Sequence, residues 1–267
     1  MLPTICLIGN GAWGKNYISV FRKLKIPFEV GDRRDWQQVI KKCDAVIVAT
    51  SPSSHIDIAE YCLSNHLPTL IEKPISLSLQ EINRIKSFEK HAPILVNYIH
   101  LFSPAYQKLK SLVDPINVKR IDSYGHNYGP YRNYSSLLDY APHDLSMGID
   151  LMGDVKNVLR GFTIDDYPGK QHCINIEYSN KVRHHMLIGN SGKKRRYFEV
   201  NDLDGKCFIY DDLVENKLTV NGEPIQISDK KPLNCVVEHF VNVIGGEKLL
   251  FDLSLSEKIM ETIEKIG

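Results

Sequence analysis

Apolar residues fall into short runs separated by polar helical patterns over the first hundred positions. Ile5–Ile8 reads as a strand and the stretch from about Trp13 to Leu24 as a helix. Pro27–Val30 follows as a strand and Asp35–Lys42 as a short helix. Ala45–Ala49 is a continuous apolar run, as expected of a strand covered on both faces. After Ser51-Pro52 the apolar positions Ile56, Ala59, Cys62 and Leu63 mark a helix ending near Asn65. Thr69–Ile71 (strand), Ser78–Lys90 (helix) and Ile94–Tyr98 (strand) complete the alternation. Strands and helices in turn, joined by short loops, predict βαβ units and a parallel sheet.

The grammar changes near Ser103. A helix over Pro104–Val113, a strand over Val118–Tyr124 and a helix over about Pro142–Met152 come first. Six β-like runs follow: Asn157–Phe162, His172–Tyr178, Arg183–Ile188, Arg196–Val200, Cys207–Tyr210 and Lys217–Val220. Helices over Leu233–Ile244 and Ser254–Ile266 close the pattern. Consecutive strands predict a mostly antiparallel open sheet. The fold class is therefore α/β: a shortened Rossmann-type domain over residues 1–102, then an α+β domain over 103–267.

Composition narrows the classes. The 267 residues carry 33 basic and 32 acidic side chains, 43% apolar and 24% charged, values of an ordinary globular chain and not of a nucleic-acid binder. The run Lys193–Arg196 reads as a solvated strand or loop. No stretch approaches the ~18 apolar residues of a membrane span. Six scattered cysteines with no metal-ligand spacing predict reduced thiols in a cytoplasmic protein and no metal site. His184-His185 adjoin in a strand and so point to opposite faces.

Gly9-Asn10-Gly11-Ala12-Trp13-Gly14 is a G-x-G-x-x-G run that follows a strand and opens a helix. In that context the first glycine allows a tight turn, the second lets a pyrophosphate approach the backbone, and the third lets helix and strand pack closely. A structural tight turn is the alternative. The ribose-binding acid of such a site lies roughly 20 residues on. Asp32 fits, with Arg33 and Arg34 next to it as candidate partners of a 2′-phosphate. NAD and NADP are both open, with a lean to NAD; alternatively, Asp32 and Asp35 simply begin the next helix. Glu72-Lys73-Pro74 ends a sheet strand, where open α/β sheets place ligands, and Lys73 could bond a substrate oxygen or be a surface lysine. Asp139 and His143 are four apart, and Pro142 suggests a helix beginning near Asp139 as its N-cap. They read as a carboxylate–imidazole pair for proton transfer, or as a cap beside a structural histidine, with Asp144 an equal partner for the ring. His55 lies at a strand-to-helix turn, lining a cofactor cleft or simply starting the helix.

Together Gly9–Asn16 (GNGAWGKN), Asp44–His55 (DAVIVATSPSSH), Glu72–Pro74 (EKP) and Asp139–Asp144 (DYAPHD) resemble the Gfo/Idh/MocA oxidoreductases. Leu101–Lys110 (LFSPAYQKLK) and Gly205–Asp212 (GKCFIYDD) are similar to members acting on nucleotide-linked sugars. The resemblance implies reversible hydride transfer between NAD or NADP and a carbinol carbon of a sugar or nucleotide-linked sugar. It makes Lys73, Asp139 and His143 catalytic, and it implies cofactor contacts at Gly9, Gly11, Ala12, Trp13, Gly14, Asp32, Arg33, Thr50, Pro52, His55 and Glu72. It also implies a homodimer or homotetramer formed through the open sheet. One departure stands out: only twelve positions separate Asp32 from Asp44, where the family has a helix, a strand and a further helix. Either Pro27–Val30 is the ribose strand and the next unit is lost, or the ribose strand is absent. The rival reading is a binding or assembly protein with an impaired cofactor site.

Overall fold

A computed structural model describes residues 2–32 and 34–267. The chain divides into two units. The first runs to Ile99 and takes in Lys231–Glu257; the second comprises His100–Lys230 and Lys258–Gly267. A single cut at residue 102 therefore misses a segment that rejoins the first unit late in the chain.

The first unit is built on β1 (Ile5–Ile8), α1 (Ala12–Leu24), β2 (Phe28–Gly31), α2 (Trp36–Val39), β3 (Ala45–Val48), α3 (His55–Ser64), β4 (Thr69–Glu72), α4 (Leu79–Lys86) and β5 (Ile94–Asn97). Its sheet is fully parallel in the order β2-β1-β3-β4-β5. Every residue of β1, β3, β4 and β5 is buried, which is why β1 and β3 read as unbroken apolar runs. The edge strand β2 pairs directly with β1, so the strand that precedes Asp32 is present and the missing unit is the one after it. The chain leaves β1 toward β2 and then returns across it to β3. The order thus reverses between β1 and β3, and at such a point doubly wound sheets open a crevice beyond their strand ends.

The second unit contains α5 (Pro104–Leu112), β6 (Val118–His126), α6 (Ser136–Met152), β7 (Val155–Asp166), β8 (Gly169–Tyr178), β9 (Arg183–Gly189), β10 (Arg195–Asp202), β11 (Cys207–Asp211), β12 (Leu218–Val220) and β13 (Glu223–Pro224). These strands form one sheet in the order β13-β12-β11-β10-β6-β9-β8-β7, antiparallel except for the parallel pair β6–β9. Helix α6 packs across β6, β9 and β8. Gly148 sits where a Cβ would collide with the Tyr178 hydroxyl, so the helix can lie close to the sheet only because that residue is glycine. The chain ends through α7 (Pro232–Ile244), which packs on α1, and α8 (Leu253–Ile266). No described helix is long and apolar enough to cross a membrane.

One expectation needs correcting. Helix α6 begins at Ser136, capped by the Ser135 hydroxyl accepting from the Leu137 amide, and not at Asp139 or Pro142. Pro142 lies inside the helix, where it cannot donate to the carbonyl four residues back. Packing of an almost wholly buried helix against the sheet outweighs that loss.

Candidate active site

The nucleotide half is assembled around the β1–α1 turn. Gly9 has φ +103°, and a Cβ there would stand 2.6 Å from the Ala49 carbonyl oxygen, so glycine lets the ends of β1 and β3 approach. A Cβ on Gly14 would strike the Gly9 carbonyl oxygen, which explains how α1 starts directly over the turn. Gly11 differs: a Cβ there meets no described atom within 4 Å. No side chain among the described residues caps α1, and its first turn holds no acid. The first-turn amides, Ala12 and Trp13 among them, therefore point from a helix N-terminus into space left clear by Gly11, a cradle that suits a pyrophosphate. The residues present fit a dinucleotide.

Asp32 follows β2 and is exposed. Its Oδ1 accepts from the Arg34 amide at 2.7 Å, and its own amide donates to Asp35 Oδ1 at 2.8 Å. The two carboxylates thus also shape the turn into α2. Arg33 lies outside the described residues. Thr50 and Pro52 belong to the connection after β3, at the other lip of the crevice.

Glu72 and His55 turn inward. The Glu72 carboxylate is 4% exposed, and its Oε1 accepts from the Tyr17 hydroxyl at 2.7 Å and from Asn97 Nδ2 at 2.6 Å. This ties the end of β4 to α1 and β5. Burial raises the Glu72 pKa, with the Tyr17 and Asn97 bonds pulling the other way. Because the folded state then holds this proton more tightly than the unfolded one, the wild type is expected to lose stability relative to Glu72→Gln as pH rises from about 4.5 through the raised value. Thermal unfolding of both proteins across that range measures the difference; parallel curves would show that the carboxylate carries no such penalty. Lys73, next in the chain, is half-buried.

The second unit carries a separate group of candidate residues. Asp139 and His143 lie one turn apart on one face of α6, 6% and 9% exposed. Arg132, from the loop before α6, places its Nε 3.5 Å from Asp139 Oδ2. Asp144 does not serve the histidine. Its carboxylate is wholly buried and pairs with Arg196 Nη1 at 3.0 Å; burial raises its pKa and the guanidinium counteracts the rise. The neighbour that the sequence did not reveal is His100. Its ring meets that of His143 edge to face at a centroid distance of 4.9 Å, and its Nδ1 lies 2.9 Å from the Tyr210 hydroxyl. His143 is thus flanked by a second imidazole that a tyrosine anchors. His184 is a structural core histidine: burial drives its pKa down to about 3, and its nitrogens meet Ser123 and Tyr178.

Residues 16–100 match the model of the Gfo/Idh/MocA oxidoreductase family with its NAD-binding Rossmann fold. That match covers 85 of the 267 residues. The chain is 22% identical over 238 residues to UDP-N-acetylglucosamine 3-dehydrogenase of Acidithiobacillus ferrooxidans, covering 80% of this chain and 74% of that one. Identity to YceM of Salmonella typhimurium, described as an oxidoreductase, is 24% over 131 residues, 48% of this chain. That match spans only 43% of the relative's length. In structure the chain superposes on a Magnetospirillum magnetotacticum protein, also described as an oxidoreductase, with a TM-score of 0.89 at 24% identity over the full length of both. The chain therefore shares the fold of that neighbour, a parallel Rossmann-like sheet followed by a mostly antiparallel one.

Proposed function

We propose that the protein is an NAD(P)-dependent oxidoreductase that interconverts a CH–OH group and a ketone on a sugar, with a nucleotide-linked sugar as the favoured substrate. The observation that carries this reading is the uncapped N-terminus of α1 over the open side of Gly11, at the switch point of the sheet. Similarity to a UDP-N-acetylglucosamine 3-dehydrogenase supports the substrate class.

A bound nicotinamide would accept or return the hydride. The chain supplies the rest. The α1 amides would hold the pyrophosphate, and the Asp32 carboxylate would accept a hydrogen bond from the ribose. In the oxidative direction the substrate hydroxyl gives its proton to the His143 ring as the C–H electron pair leaves carbon and the C=O bond forms. Lys73 would donate a hydrogen bond to a substrate oxygen and stabilise developing negative charge on it. Asp139, set by Arg132, orients the hydroxyl and its neighbours. His100 and Tyr210 hold the His143 ring.

Titration with NADH and with NADPH, followed by nicotinamide fluorescence, tests the cofactor. Asp32 should repel a 2′-phosphate, so NADH is expected to bind more tightly. A preference of about tenfold for NADPH, roughly 1.4 kcal/mol, would remove Asp32 from the ribose. Binding of neither would favour a ligand-binding or assembly role.

A further inference from the structure

His55 is 1% exposed, and both ring nitrogens meet main-chain carbonyls: Nδ1 lies 3.0 Å from Pro74 O and Nε2 lies 3.1 Å from Thr50 O. The two oxygens belong to the connections that follow β4 and β3. The first carries Lys73; the second carries Thr50 and Pro52 at the lip of the crevice. A ring so enclosed has no nitrogen left for a cofactor, which separates it from the other members of the predicted nucleotide site. Space-filling would not require a nitrogen opposite each carbonyl.

Proton count makes the arrangement directional. A neutral imidazole has one N–H, so it donates to one carbonyl while its other nitrogen faces the second; only the imidazolium donates to both. Burial lowers the pKa of His55 and favours the neutral ring, against the pull of the carbonyls. Glu72 anchors the other side of Lys73 to α1 and β5. Lys73 thus stands between two buried polar ties, one on each side.

We propose that His55 is a positioning residue: a strut between the Lys73-Pro74 turn and the loop after β3 that sets the direction of Lys73. The inference rests on the reading that Lys73 acts at the substrate oxygen, but its test needs no substrate. In the 267-residue protein, trinitrophenylation of the Lys73 amine by trinitrobenzenesulfonate, which expels sulfite, is followed by peptide mass spectrometry, with exposed Lys90 as internal reference. NADH affinity is measured in parallel. His55→Leu should change Lys73 labelling severalfold relative to Lys90, and any change in NADH affinity should accompany it. His55→Asn, whose amide nitrogen can take the Nδ1 place and donate to Pro74 O, should restore the wild-type rate. His55→Gln reaches the Nε2 place and should not restore it.

Unchanged Lys73 labelling in His55→Leu overturns the strut, as does a loss of NADH affinity without a change at Lys73. If His55→Leu fails to fold, the Asn and Gln variants decide, because equal Lys73 rates in those two also overturn it. Should the wild type bind neither NADH nor NADPH, the functional reading falls, while the labelling comparison still decides the strut.

Discussion

Replacing His143 by asparagine is expected to slow single-turnover hydride transfer by about 10²–10⁴ while leaving NADH affinity unchanged. The side chain is nearly buried one turn beyond Asp139, and His100 packs edge-on against its ring. Asparagine keeps a polar group at the position but cannot take the hydroxyl proton. Lys73→Met, on the proposed reading, should show a comparable loss. The substrate for these measurements comes from a screen of nucleotide-linked sugars with both nicotinamides. Near-normal rates in both single variants would make the residues remnants of the family pattern and leave a binding protein.

The second large effect is expected at Gly11. Its backbone, at φ −68° and ψ −159°, is accessible to any L-residue, and a Cβ there touches no described atom within 4 Å. Gly11→Val should therefore fold normally. Its branched side chain would stand over the first turn of α1, where the pyrophosphate needs contact with the backbone. NADH affinity should fall at least tenfold, about 1.4 kcal/mol or more, by calorimetric titration. Gly9→Ala makes the contrast: with φ +103° and the Ala49 carbonyl oxygen 2.6 Å from the new Cβ, it should lose stability first. Unchanged affinity in a folded Gly11→Val protein would take the glycine run out of the account.

Local chemistry explains what the sequence made legible. Gly9 takes a positive φ, Gly14 abuts the Gly9 carbonyl within the same turn, and β3 is buried on both faces, so these signals lie in contiguous residues. The start of α6 was misplaced because proline normally marks a first helical turn, whereas here tertiary packing carries it inside the helix. Asp144 could not be separated from Asp139 by spacing, since its partner Arg196 is 52 positions away on another element. His100 belongs to no motif and gains significance only because the fold brings His143 and Tyr210 to it. At His55 and Glu72 the motifs located the right turns, but no one-dimensional pattern says that a side chain at a crevice faces inward.

The late return of Lys231–Glu257 to the first unit has a consequence for synthesis. Helix α7 packs on α1 and buries Val236, Val237 and Phe240 completely. A ribosome releases the five strands of the parallel sheet long before it releases those side chains. During that interval the nascent nucleotide-binding unit carries an incomplete hydrophobic core, a state prone to aggregation. Its folding thus cannot finish from the N-terminus onward, and the apolar side of α1 must wait, or be chaperoned, until residues near 240 emerge.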